Sequence, residues 1–462
     1  MDRRQFLKYT GFAGATMMSS PLTAAGTPNP EFLLKSAKAK RVIFLTMSGG
    51  MSQFESFDNK PVLKKYDGKK MPMEYLKGQQ LAQLQAQKEI LCYGPQFKFN
   101  KHGQSGLEIS ELFPHLGSVA DELAIVKSAY TEQINHDPAI SMLNAGTFLN
   151  GRPSMGAWVN YALGSGSKDL PGFVVLESVK GRNPQPLYAR LWNNGFLDSV
   201  FQGVKFNSKG DTVYYVKNPN GVDRVRQGQL IKTINKLNRF SSSHMDDDEI
   251  STRIQQYEMA HRMQSSIPDL MDMSKEPAQI ADIYGCKPGD GSFASNCLMA
   301  RKLAERGVRF IQLYHRGWDH HDGIRKYMPI CAEAVDQGTA ALIKDLKQRD
   351  MLKDTLIVFA GEFGRTPMSQ TTKKTGHAGR DHHMKSMSYF MCGGGIKGGV
   401  SVGETDELGY KPVEDAHHIR DMHATMLHLL GINHKKLTVR FQGLDNRLTG
   451  VEEAHLIKKV LA

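Results

Sequence analysis

Histidines crowd the second half of this chain: eleven of its 17 lie between His315 and His434, interleaved with carboxylates and arginines. Three groups sit beside apolar runs. His315, Arg316, Trp318, Asp319, His320, His321 and Asp322 follow the run 308–314. Glu362, Phe363, Gly364 and Arg365 follow the run 355–360. Gly379, Arg380, Asp381, His382 and His383 precede Tyr389–Cys392. Neutral imidazoles with carboxylates make a borderline ligand set, suited to a divalent Zn, Mn or Fe ion more than to Ca or Mg. Arg365 and Arg380 offer paired N–H donors of the kind that clamp a tetrahedral oxyanion. The chemistry to expect is metal-assisted or acid–base work on an anion.

Plainer roles compete with each of these. His320 and His321 also read as exposed loop residues, and Asp381 as a helix cap or the ion-pair partner of Arg380. His417, His418, His423 and His428 fall beside the helical pattern of Met422, Met426, Leu429 and Leu430, and read as helix or core-edge residues.

The elements that would position the three groups are legible. Val42–Met47 is a continuous apolar run, as in a strand buried on both faces, and it ends in the flexible Ser48-Gly49-Gly50. Leu123–Val126 predicts a second short strand, followed by the loop 131–138 and a helix ending at Gly146. A helix over 294–306 should stop at Gly307, a left-handed C-cap. A strand over 308–314, a helix over 331–349 and a strand over 355–360 then form a strand–helix–strand unit of a parallel sheet. In such sheets, sites form beyond the C-terminal ends of the strands, where the three groups lie. Residues 60–105 read as a peripheral insertion with a short helix. Residues 165–245 read as an irregular insertion, with a polar connection at 241–248 and helical pattern resuming at 249–263.

Bulk properties set the class. A chain of 462 residues, 40% apolar and 23% charged, is neither disordered, collagenous nor membrane-embedded. Its 59 Lys+Arg against 47 Asp+Glu give a net charge of +12. The basic residues are scattered pairs such as Lys64-Lys65 and Lys373-Lys374, without the aromatic interleaving of a nucleic-acid groove, so no nucleic-acid partner is expected. The five cysteines form no C-x-x-C pair. The N-terminus, Met1-Asp2-Arg3-Arg4-Gln5-Phe6-Leu7-Lys8, resembles a twin-arginine signal. It is followed by a short apolar stretch and a small-residue cleavage region at Thr23-Ala24-Ala25. Residues 1–26 are therefore expected to be an export leader engaging the twin-arginine machinery, and the mature protein to be periplasmic or otherwise exported. No segment is long and apolar enough for a stable membrane span.

Taken together, several motifs carry a family resemblance over nearly the whole chain. These are Gly49-Gly50-Met51-Ser52-Gln53 with Phe57-Asp58, Asn135-His136, Gly151-Arg152-Pro153-Ser154-Met155-Gly156, Trp318-Asp319-His320, Gly361–Thr366 and Gly379–His383. The chain resembles a large bacterial family of twin-arginine-exported proteins with a domain of unknown function, loosely labelled sulfatase, within the alkaline-phosphatase superfamily. The resemblance implies an alkaline-phosphatase/sulfatase-like α/β domain over 38–462, with a mostly parallel central sheet and helices on both faces. It also implies hydrolysis of phosphate or sulfate esters.

Residue by residue, Glu362-Phe363 occupies the place of the superfamily's Asp-His metal pair. His382 or His383 resembles its late histidine ligand, and Asp319 and His320 lie near its middle ligands. Two departures stand out. Ser48 replaces the acidic ligand at the end of the first strand, and His136 stands where sulfatases carry the cysteine that becomes formylglycine. The expectation is a metal held from among Asp319, His320, Glu362, Asp381, His382 and His383. His136 would serve as nucleophile or general acid–base, and Arg365 and Arg380 would act on an anionic ester or glycan. The alternative from another class is a non-catalytic binding or scaffold protein of the cell envelope with a degenerate site.

Overall fold

The computed structural model describes residues 30–462 except 80, 85–86, 88, 210–222, 243–247, 274–275 and 372–376. The expected leader at 1–26 and most of the polar connection at 241–248 lie outside the described residues.

The run at 41–48 forms strand β1 (Arg41–Ser48), buried on both faces from Val42 onward. A strand covered on two sides has no need of polar alternation, which is why this run is continuous. In chain order the remaining strands of its sheet are β2 (Leu123–Tyr130), β3 (Phe173–Val179), β4 (Val204–Lys205), β5 (Phe310–Arg316), β6 (Thr355–Ala360), β7 (Met387–Cys392), β8 (Val400–Val402) and β9 (His417–His418). They assemble in the order β8-β2-β7-β6-β1-β5-β3-β4, with β9 also on β2. Every pairing is parallel except the two made by β7. The protein is thus a mixed α/β fold around a mostly parallel sheet.

The expected strand–helix–strand unit is present as β5, helix α4 and β6, with both strands flanking β1. Helix α4 (Ile324–Gln348) begins seven residues earlier than the apolar pattern indicated. It packs beside α3 (Phe293–Glu305) on one face of the sheet, where Leu298, Leu303, Val335 and Leu342 meet Ile43, Leu45, Ile311 and Leu313. The other face holds α1 (His136–Ala145), α2 (Met155–Leu163) and α5 (Ile419–Leu429). There Leu143, Trp158, Met422 and Met426 meet Val42, Phe44, Phe310 and Val358. The even and odd residues of one strand feed two separate cores, as the twofold side-chain alternation of a strand requires. Gly307, at φ +80°, ends α3 as expected.

Residues 165–245 are not purely an insertion, because they supply β3 and β4. Only the short apolar run Phe173–Leu176 signals β3, and the surrounding glycines and prolines mask it. Residues 60–105 include the short helix Pro61–Lys65. They also help build a third apolar cluster, where Leu63, Met71, Leu81 and Leu84 pack with Met368 and Tyr410. Among the described residues no helix is long and apolar enough to cross a membrane, and all five cysteines are free thiols.

Candidate metal centre

Because β7 alone runs backwards, the residues before it lie at the same sheet edge as those after β1, β2, β3, β5 and β6. All the site residues sit at that edge. His136 opens α1 after β2. Asp319 and His321 follow β5, Glu362 follows β6, and His382 leads into β7. The loop after β1 approaches so closely that a Cβ on Gly49 would lie 2.6 Å from the Asp319 backbone nitrogen. Gly49 also has φ +123°, so glycine is required there on both counts.

Four side chains converge at this edge. His136, Asp319, His321 and His382 each offer one ligand atom, and these atoms all lie within 4.8 Å of one another. Around Asp319 Oδ1, the Nε2 atoms of His321, His136 and His382 stand at 3.0, 3.3 and 3.4 Å. Nε2 of His321 and Nε2 of His382 are 2.9 Å apart.

The far sides of the rings identify their tautomers. His136 Nδ1 is 2.7 Å from Glu362 Oε1, His382 Nδ1 is 2.8 Å from the Ile134 carbonyl, and His321 Nδ1 is 2.6 Å from Gln370 Oε1. Gln370 Nε2 donates in turn to Gln83 Oε1 at 2.9 Å. All three partners are acceptors, so each ring carries its proton on Nδ1 and turns an Nε2 lone pair inward. Three lone pairs and a carboxylate oxygen therefore face one another, an arrangement that calls for a cation among them. His136 Nε2 is buried and has no hydrogen-bond partner among the described residues. The donor set and this orphaned atom fit a metal ion.

The electrostatics agree. Burial alone would lower the His136 pKa, but the Asp319 and Glu362 carboxylates outweigh it and hold the ring above its ordinary value. Without a metal, His136 is thus the ring that attracts an extra proton. Burial is the main force drawing His382 down to about 3, with Arg365 adding to it. Burial would raise Asp319, yet Arg365 and the surrounding rings hold it well below the usual carboxylate range.

The other expected site residues occupy supporting positions. Glu362 is fully buried behind the cluster, accepting from the Gly49 N–H at 2.9 Å as well as from His136. Asp381 accepts from the Gln83, Leu84 and His382 backbone N–H groups at 2.6, 2.9 and 2.9 Å. It is an anchor for the 60–105 segment and lies 3.8 Å from His321 Nδ1. Arg365 donates to Asp319 Oδ1 at 2.7 Å, to the Gly50 carbonyl at 2.7 Å, and to the Gly49 and Arg380 carbonyls. It neutralises Asp319 and ties the loop after β1 to the cluster. Arg380 forks onto Glu55 at 2.7 and 3.0 Å, donates to the Tyr93, Gly94 and Thr366 carbonyls, and lies against the Phe54 and Tyr93 rings. Both guanidiniums, expected from the sequence to clamp an oxyanion, are bonded to protein acceptors.

Two histidines turn away. His382 and His383 are neighbours on a short strand paired with Gly364-Arg365, so their rings take opposite sides. His383 meets the Tyr410 carbonyl at 2.5 Å. His320 is buried beside Cys331 Sγ at 3.8 Å. The place in the cluster expected for His320 is taken instead by His321. The only sequence signal for it was its place in the strand-end group. His136, expected as nucleophile or general acid–base, has one nitrogen on Glu362 and the other in the donor set. Sequence reading also missed Gln185, whose Nε2 donates to Asp319 Oδ2 at 2.8 Å and leaves Oδ1 to face the cluster. Phe363 stands where the resemblance implied an imidazole ligand, and its ring packs on His136 and His382 at centroid distances of 4.9 and 4.6 Å.

Comparison with known proteins places the chain in a family. It belongs to the one described as "Protein of unknown function (DUF1501)", whose model matches residues 39–461. No curated protein matches it. Among solved structures it is similar to the PsFucS1 sulfatase from Pseudoalteromonas sp., at 13% identity and a TM-score of 0.35 over 91% of this chain and 73% of that one. It is also similar to a protein in the alkaline phosphatase superfamily from Vibrio parahaemolyticus, at 10% identity and a TM-score of 0.36 over 95% and 78%. A third is the lipoteichoic acid synthase LtaP from Listeria monocytogenes, at 11% identity and a TM-score of 0.36 over 93% and 78%.

Proposed function

We propose that the protein is an exported, metal-dependent hydrolase of an anionic ester, a sulfate or phosphate ester, acting at the centre formed by His136, Asp319, His321 and His382. The observation that carries this reading is the inward convergence of three Nε2 lone pairs and one carboxylate oxygen at the strand ends of a mostly parallel sheet. A bound Zn, Mn or Fe ion would supply Lewis acidity and an activated water. The chain's own residues hold and orient it. Glu362, the Ile134 carbonyl and Gln370 lock the three rings by their Nδ1 protons, and Gln185 and Arg365 fix the Asp319 carboxylate. The side chains of His136 and His321 are 15% and 12% exposed, so the cluster lies close beneath the surface.

A second reading is a metal-bearing envelope protein that binds an anionic glycan without chemistry. One observation favours it: Arg365 and Arg380 are both committed to protein acceptors.

The deciding experiment is elemental mass spectrometry on the protein purified from its exported compartment, alongside His321→Ala and His382→Ala. About one Zn, Mn or Fe per chain, lost in both folded variants, is expected. Aryl sulfate and aryl phosphate hydrolysis that disappears with a chelator and returns with the ion would establish the hydrolase. Bound metal without turnover would favour the binding protein. No stoichiometric metal in the wild type would overturn both.

A further inference from the structure

Away from the histidine cluster, a cavity of about 560 Å³ lies between the end of α1 and the C-terminal segment. Its walls include Arg152, Arg447, Trp158, Phe196, Leu149 and Leu448. A volume of this size, with polar and apolar groups sharing its lining, matches a small-molecule site.

The two guanidiniums make it unusual. Arg152 donates to the Asn446 side-chain oxygen and lies over the Phe196 ring, 5.7 Å from its centroid. Arg447 donates to the Gly450 and Val451 carbonyls. Both are half-buried. Among the described residues neither is in an ion pair, and their hydrogen bonds go to neutral acceptors. A third arginine in the wall, Arg420, is neutralised by Glu132 at 2.6 Å. Two exposed carboxylates, Asp445 and Glu452, also line the cavity. Arg152 and Arg447 thus hold positive charge half out of water with no carboxylate at ion-pair distance among the described residues, and such charge invites an anion.

The rim is apolar and exposed. Leu149 is 53% exposed and Val451 89%. Beside them the hairpin Val439–Phe441 with Leu444–Asn446 presents Leu444 at 68% exposure. Phe441 of that hairpin stacks on Phe196 with centroids 4.8 Å apart. Apolar side chains gathered at the mouth of a cationic cavity suit a ligand with two ends of different character.

We propose that this cavity is a second binding site, for an anionic head group (phosphate, sulfate or carboxylate) carrying an aliphatic tail. The head pairs with Arg152 and Arg447, and the tail leaves over Leu149, Phe441 and Leu444. Such a molecule could be a single-chain amphiphile free in solution or a lipid in a bilayer.

The test uses the full folded protein and dodecyl phosphate below its micellar concentration, followed by Trp158 fluorescence or calorimetry. Inorganic phosphate and dodecyl maltoside serve as single-feature controls. Saturable binding of dodecyl phosphate is expected, weakened about tenfold or more in Arg152→Gln and in Arg447→Gln. Leu149→Ser should weaken dodecyl phosphate but leave any inorganic phosphate binding unchanged. Unchanged thermal transitions and metal content would show that the variants are folded. Co-sedimentation with phosphatidylglycerol vesicles, lost in the arginine variants and absent with phosphatidylcholine vesicles, would make a bilayer lipid the source. Binding of the free amphiphile alone would make it a soluble one. No saturable binding, equal binding by both arginine variants, or equally tight binding of inorganic phosphate would overturn the proposal.

Discussion

Arg380 illustrates how far a residue's type can mislead about its role. It is fully buried, and its fork is filled by Glu55, which is also fully buried. Removing one member of such a pair leaves the other charge uncompensated in a medium that solvates it poorly, at a cost of about 3–5 kcal/mol. Arg380→Met is therefore expected to lower the free energy of unfolding in urea by about that amount, and Arg380→Met with Glu55→Met to recover much of it. A single variant as stable as the wild type would show that the pair is not the anchor its geometry indicates. A guanidinium reads identically in a sequence whether it faces a substrate or a glutamate 325 residues away, so this role was not legible. The choice of His321 over His320 was hidden for a related reason: which of two adjacent loop rings turns inward depends on the loop path. Asp319, His382 and Glu362 were picked out because strand ends in parallel sheets gather at one edge.

At the scale of elements, the strands buried on both faces were the easiest to read, since β1 and β6 are continuous apolar runs. β3 was missed because its run is short and surrounded by turn formers. The histidines near α5 were read as helix and core-edge residues, and the helix bears this out for two of them. His418 caps its N-terminus, accepting from the Arg420 N–H, while Asp421 accepts from the His418 N–H. His423 is completely buried, with Nε2 bonded at 2.8 Å to the Leu143 carbonyl of α1. Burial pushes His423 from 6.5 down to about 4. Below the unfolded value the unfolded chain takes up a proton that the folded chain refuses. The contribution of His423 to stability is thus complete above about 6.5 and lost as pH falls towards about 4. In urea titrations across that window, His423→Gln should flatten the pH slope of stability by up to about 1.4 kcal/mol per pH unit. An unchanged slope would mean that His423 is not neutral in the folded protein.

At the scale of the whole molecule, the twin-arginine reading of residues 1–26 supports a proposal that the chain folds before it is exported. Arg3→Lys with Arg4→Lys should then hold the precursor in the cytoplasm, as seen by fractionation and by the size of the retained chain. Export as efficient as that of the wild type would overturn the twin-arginine route. The overall α/β class was legible from the strand–helix–strand unit together with the family resemblance. The packing of residues 60–105 over the sheet edge was not, because polar Lys- and Gln-rich sequence gives no hint that Gln83 and Leu84 will bind Asp381.

The four inward-facing atoms come from three stretches of chain, around His136, around Asp319 and His321, and around His382, and they meet only when the sheet edge is complete. The proposed ion site would behave as a conjunction: each stretch is a separate input, and the output, an ion held from four sides, would require all of them at once. A chain with β2, β5 or β7 out of place offers two or three donors scattered in water and discriminates poorly among ions. Ion capture would then certify that distant parts of the molecule have found one another, and the ratio of ion to chain would count the correctly assembled copies. If folding precedes export, the choice of ion falls to whatever the cytoplasm supplies at that moment, since a closed conjunction has no reason to reopen outside.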